Sequence, residues 1–149
     1  MIKLLRTDSG HPDFIHLVGL LDAELAVIDG EEHAFYHQFN KVDAIKYALV
    51  AYLDGQAVAC GALKAFDAQS MEVKRMYTLL AARGRGVASS VLTGLEDWAR
   101  ELGFEKCVLE TGIRQPDAIR LYTKNGYAVI PNYGQYAGVE NSVCFEKRI

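Results

Sequence analysis

Val87, Val91, Leu92, Leu95, Trp98, Ala99 and Leu102 recur at the spacing of one helix face, directly behind the turn Ala82-Arg83-Gly84-Arg85-Gly86. A stripe this regular has to be laid against a sheet or another helix. Gly103 stands where a left-handed C-terminal cap belongs. Upstream of the turn, residues 72–79 have the composition of a strand. Strand, glycine turn and amphipathic helix in that order commit the middle of the chain to α/β architecture.

Elsewhere the apolar period keeps switching between that of a strand and that of a helix. Residues 2–5 read as a first strand, and Pro12-Asp13 opens a helix with Phe14, Leu17, Val18, Leu21 and Leu25 on one stripe, ending near Asp29-Gly30. Phe35, Phe39 and Val42 predict a short helix within residues 31–45. Residues 46–53 and 56–66 form two strands joined by the hairpin signal Asp54-Gly55, and the strand at 72–79 pairs with its predecessor. A strand at 106–110, a helix at 116–125 closed by Gly126, and strands at 127–130 and 142–147 complete the pattern. The expected fold class is α/β, with a mixed, mostly antiparallel central sheet flanked by helices. Prolines stand only at 12, 116 and 131, and no repeat or low-complexity tract interrupts the chain, so residues 1–149 are expected to form one domain. That length buries roughly 70% of the unfolded surface without disulfide or metal.

Sixteen Lys and Arg against nineteen Asp and Glu leave a net charge of −3, the wrong sign for nucleic acid or an anionic membrane. No apolar run approaches the ~18 residues of a spanning helix. The start Met1-Ile2-Lys3-Leu4-Leu5-Arg6 is too soon charged for a signal peptide, which predicts a cytoplasmic protein. Cys60, Cys107 and Cys144 are scattered among apolar residues and read as buried, reduced thiols. His33 and His37 have the spacing of a helical metal pair but lack an evident third ligand, so no metal is expected.

The chemistry lies in the turn. Gly84 and Gly86 permit positive φ and close backbone approach, and the helix behind them offers unpaired N–H groups and the positive end of its dipole. Such a turn binds phosphate, with Arg83 and Arg85 as added donors. The dinucleotide fingerprint and the Gly-Lys-Ser/Thr loop are both absent. The segment Arg83-Gly84-Arg85-Gly86-Val87-Ala88 resembles the Arg/Gln-x-x-Gly-x-Gly/Ala signature of the GNAT superfamily of acyl-CoA-dependent N-acetyltransferases. Ala118-Ile119-Arg120-Leu121-Tyr122-Thr123-Lys124-Asn125-Gly126-Tyr127 is similar to that family's Ala-x-x-Leu-Tyr-x-x-x-Gly-Phe/Tyr block. The resemblance runs clearly from Met71 to Ile130.

It implies a sheet splayed between the fourth and fifth strands, with acetyl-CoA in the gap as co-substrate. The backbone of Met76, Tyr77 and Thr78 would hold the pantetheine arm, and Arg83, Gly84, Arg85, Gly86, Val87, Ala88 and Ser89 the pyrophosphate. Gln115 stands where many members carry Asn beside the arm. Tyr122 matches the family tyrosine that protonates the departing thiolate. An attacking amine must lose a proton. Glu72, where some members carry a general base, and Glu110, at the end of the neighbouring strand, are both candidates, and a base acting through ordered water is the third. Strict alternation puts Glu72, Lys74, Met76 and Thr78 on one strand face and Arg75 on the other. Arg75 is a candidate clamp for a substrate carboxylate or else an exposed strand arginine; Tyr36, Tyr133 and Tyr136, the last two in a flexible loop, are candidate walls of the acceptor pocket. The implied activity is acetyl transfer to a primary amine of a small molecule, an amino acid or a polyamine, in a ternary complex. A non-catalytic acyl-CoA-binding regulatory module, and acetylation of a protein N-terminus or lysine, are the alternatives. The family often dimerises, so a homodimer through the last strand is a further expectation.

Overall fold

The Asp54-Gly55 turn sets the register Leu53↔Gln56 and folds β2 (Tyr47–Leu53) back on β3 (Gln56–Ala65). In the computed structural model, which describes residues 1–30 and 45–149, this hairpin lies within a seven-stranded sheet of order β1-β2-β3-β4-β5-β7-β6. The other strands are β1 (Ile2–Thr7), β4 (Ser70–Thr78), β5 (Lys106–Gly112), β6 (Ala128–Ile130) and β7 (Ser142–Arg148). Every pairing is antiparallel except β4 with β5. β4 begins at Ser70, earlier than the expected 72, because the N–H groups of Phe66 and Asp67 both close on the Ser70 carbonyl. The short helix expected within 31–45 lies, apart from Ile45, outside the described residues, as do Tyr36, His33 and His37.

The helices cover opposite faces of the sheet. α1 (Pro12–Asp29) buries Phe14, Leu17 and Val18 against Ala48, Val50, Cys60 and Ala62. His11 caps its start, Nδ1 accepting from the Asp13 N–H. α2 (Val87–Glu101) lays the expected stripe on the other face, where Val87, Val91, Leu92, Leu95 and Ala99 meet Leu49, Leu63, Met71 and Val73. α3 (Pro116–Lys124) packs on the same side through Tyr122. No helix among the described residues is long and apolar enough to cross a membrane.

One irregularity in β4 corrects the expected alternation. Cys60 pairs with Tyr77 but Ala62 pairs with Lys74, so Gly61 alone opposes Arg75 and Met76. Arg75 is the bulged residue, at φ 59°, a left-handed conformation costing on the order of 1–3 kcal/mol for a side chain of this size. Beyond it the faces exchange: Met76 joins Met71 and Val73 against α2, while Tyr77 turns to the α1 face.

Gly61 makes the bulge possible. A Cβ there would lie 2.7 Å from Met76 Sδ, 2.8 Å from Leu95 Cδ1 and 3.0 Å from Val91 Cγ1. Gly61→Ala is therefore expected to lower stability by about 1–3 kcal/mol through overpacking, read as a lower denaturant midpoint at constant m. An unchanged midpoint would contradict this packing.

Candidate active site

β4 and β5 pair at only three positions, Ser70↔Lys106, Met71↔Cys107 and Glu72↔Val108. After Glu72 the strands part, β4 staying with β3 and β5 with β7. The gap opens into two cavities. The larger, about 720 Å³, is lined by Met76, Tyr77 and Thr78 on one side, Arg83, Gly84, Gly86, Val87, Ala88 and Ser89 at the turn, and Gln115 and Tyr122 opposite. The smaller, about 110 Å³, is bounded by Glu72, Lys74, Arg75, Glu110, Gln115, Tyr122 and Tyr136. Met76, Gln115 and Tyr122 line both, so the cavities share a wall.

At the turn, Gly84 and Gly86 have φ of 81° and 78°, and a side chain at either would meet nothing within 4 Å. Gly86 is the N-cap of α2, and the first helical bond runs from Ser90 N–H to its carbonyl. The N–H groups of residues 87–89 therefore remain available for an anion. The two arginines differ from the expectation. Arg85 is exposed and lines neither cavity. Arg83 is already engaged: Nε donates to the Thr78 carbonyl at 2.9 Å, Nη2 to Glu24 of α1 at 3.0 Å, and the guanidinium lies 5.6 Å from the Tyr77 ring centroid.

Glu72, the last paired residue of β4, and Glu110, two residues beyond its partner Val108 on β5, face one cavity but sit in different environments. Glu72, 6% exposed, accepts a 2.7 Å hydrogen bond from Tyr133 Oη, and Lys74 Nζ stands 3.5 Å away. Glu110 accepts from Ser142 Oγ at 2.8 Å, yet burial, reinforced by the charges of Glu72 and Asp29, raises its pKa to about 7. Tyr122 is 6% exposed, its ring 5.9 Å from those of both Tyr127 and Phe145, and burial beside Glu110 pushes its phenol well above the ordinary value.

The remaining candidates are also rearranged. Arg75 is not an exposed strand residue: it is 6% exposed and its Nη1 donates to Asp22 of α1 at 2.8 Å. The loop expected to be flexible is pinned by Tyr136, 2% exposed, against Cys144 and the ring of Tyr133, 5.9 Å away. Tyr133 lines neither cavity and instead holds Glu72. The thiols are buried as expected, and desolvation pushes Cys60 and Cys107 up to about 12.

Sequence reasoning missed a buried cluster behind Tyr122. Glu96, 4% exposed, accepts from Tyr127 Oη at 2.9 Å and from Lys147 Nζ at 2.8 Å. Its members lie on α2, the segment before β6, and β7, with no local signal joining them. Arg114 was missed as well; its Nη1 donates to the Ile28 and Asp29 carbonyls at the C-terminus of α1.

A glycine turn at a helix N-terminus beside a parted sheet, with carboxylates and a tyrosine across the gap, agrees with the match of residues 17–127 to the acetyltransferase (GNAT) family model. The chain belongs to the GNAT acetyltransferase family. Among its relatives, an IAA acetyltransferase of Azospirillum brasilense is 40% identical over 101 residues, 66% of this chain and 65% of the relative, so the chain spans just under two thirds of that relative's length. The solved structure of a candidate acyl-CoA N-acyltransferase from Klebsiella pneumoniae superposes with a TM-score of 0.83 at 31% identity, covering 99% of this chain and 97% of the other. A GNAT acetyltransferase from Elizabethkingia anophelis with acetyl-CoA bound shares the fold at a TM-score of 0.69, with 15% identity and coverage of 99% and 98%.

The Glu110 environment has a consequence for stability. A carboxyl whose folded pKa is raised above its unfolded value stabilises the fold when protonated, and that contribution is lost as pH rises through the folded pKa near 7. Glu110→Gln keeps the neutral shape at every pH. Its stability advantage over wild type is expected to widen between pH 5 and pH 8, to about 1–3 kcal/mol, measured by denaturation at both pH values. A gap that does not grow with pH would show that Glu110 is not held neutral.

Proposed function

We propose that this protein transfers the acetyl group of acetyl-CoA directly to a primary amine of a small molecule, with Glu110 as general base and Tyr122 as hydrogen-bond donor to the departing sulfur. The observation that carries this reading is the shared wall: Tyr122 belongs both to the larger cavity at the phosphate turn and to the smaller one holding Glu110. A thioester bound at that wall would have Tyr122 on one side and the cavity holding Glu110 on the other.

The residues fit the co-substrate. Unpaired edges at 73–78 and 109–112 suit the pantetheine amides, which can add to the sheet like a strand, and the open space over Gly84 and Gly86 suits the pyrophosphate. A small acceptor fits better than a peptide, since the smaller cavity is only about 110 Å³.

In the reaction the ammonium first gives a proton to Glu110, the freed amine nitrogen bonds to the acetyl carbon, and the C–S bond breaks. The second nitrogen proton passes through water to the departing thiolate, and Glu110 returns its proton to water. A base titrating near 7 is matched to this task at neutral pH. Glu72, already engaged by Tyr133 and Lys74, stands beside the amine as a neighbouring carboxylate rather than as the proton acceptor. Tyr122 keeps its proton because burial raises the phenol, so it stabilises the developing thiolate by a hydrogen bond rather than by full transfer. No covalent enzyme intermediate enters, since the buried thiols are protonated at neutral pH.

Thiol release from acetyl-CoA with a panel of small amines tests the assignment. Glu110→Gln is expected to lower kcat at least ~100-fold and Tyr122→Phe at least ~10-fold. In the wild type, kcat should fall below pH 7 as Glu110 takes up its proton. Full activity in Glu110→Gln, or a kcat flat between pH 5.5 and 8, would remove Glu110 from the base role.

A further inference from the structure

Arg75 is the one residue of β4 at positive φ, and its partners do not use all of it. Nη1 donates to Asp22, the side chain is 2% exposed, and the buried Nε–H has no acceptor. The residue nevertheless lines the smaller cavity. A structural ion pair with Asp22 needs neither the strained backbone nor the open Nε–H. Planar guanidinium donors satisfied by a carboxylate on one nitrogen and unpartnered on another retain the capacity to bind a second anion.

We propose that the acceptor amine carries an anionic group, a carboxylate or a phosphonate, which Arg75 binds from the cavity wall while the amine faces Glu110. The inference rests on the acetyl-transfer reading above and names the class of its acceptor. Charge is distributed across the cavity accordingly. Lys74 and Arg75 line it together with Asp29, Glu72 and Glu110, so both signs are present within about 110 Å³. Such a cavity matches a small zwitterion, whereas a polyamine would meet Lys74 and Arg75 as like charges. Leu21 and Leu25 of α1 add an apolar patch suited to a short aliphatic side chain.

The experiment compares matched acceptors on the intact protein: α-amino acids, their primary amides and aminoalkylphosphonates. Two readouts are taken, thiol release with acetyl-CoA and calorimetric titration of the CoA-loaded protein. The acids or the phosphonates are expected to exceed the amides at least ~10-fold in kcat/KM, and whichever series leads identifies the anion. In Arg75→Gln that preference should shrink at least ~10-fold, chiefly through KM, while Arg75→Lys, which keeps the charge, should retain part of it. Equal use of acids, phosphonates and amides by the wild type overturns the proposal, as does a preference unmoved in folded Arg75→Gln or Arg75→Lys. If no acceptor in any series is acetylated but anionic members still bind more tightly than amides, the anion site stands and the acetyl-transfer reading falls. Equal binding of all three series removes the anion site.

Discussion

Three parallel pairs, the last of them Glu72 with Val108, are all that hold β4 to β5, and the position at which they stop organises the site. Sheet hydrogen bonds are near-obligatory for buried backbone, so a pair of central strands that separates must be held apart by side chains and must offer its free edges to something else. Here the bulge at Arg75 turns β4 away, Gly61 provides the room for it under α2, and β5 is kept on its own course by seven pairings with β7. The parting leaves Glu72 and Glu110 facing a common space, with Tyr122 reaching it from α3.

Electrostatics then distinguishes two carboxylates of the same type. Glu72 has a phenol and an ammonium as partners. Glu110 has one hydroxyl and a desolvating environment, which brings it into the range where protons exchange at neutral pH. The helix α1 is fastened over this space by three arginines from the opposite elements: Arg75 to Asp22, Arg83 to Glu24, and Arg114 to the carbonyls of its last turn. Because Arg83 belongs to the phosphate turn, an anion recruiting its guanidinium would compete with Glu24, linking occupancy of the turn to the seating of α1.

What the sequence revealed follows the range of the forces involved. Local patterns carried the α2 stripe, the Asp54-Gly55 hairpin, the Gly84 and Gly86 turn and the α3 segment containing Tyr122, because periodicity, turn chemistry and capping act within a few residues. The misplacement of Arg75 and Met76 came from assuming an unbroken alternation; a single bulged residue inverts everything after it. Tyr133 on Glu72, Ser142 on Glu110, and Glu96 with Tyr127 and Lys147 join residues 31 to 61 positions apart, and only the assembled sheet brings them together. The loop carrying Tyr136 was misread as flexible for the same reason, since only the assembled sheet buries its ring against Cys144, while Tyr136 does line the smaller cavity.

On the proposed reading, the parted edge of β4 and the turn at 84–89 together receive acyl-CoA. Amide hydrogen exchange, followed residue by residue with and without CoA, tests it most directly. New protection is expected at Met76, Tyr77 and Thr78 and at the first N–H groups of α2, with little change in β1 and β2. CoA binding that leaves those amides unprotected, or that protects a different surface, would contradict it.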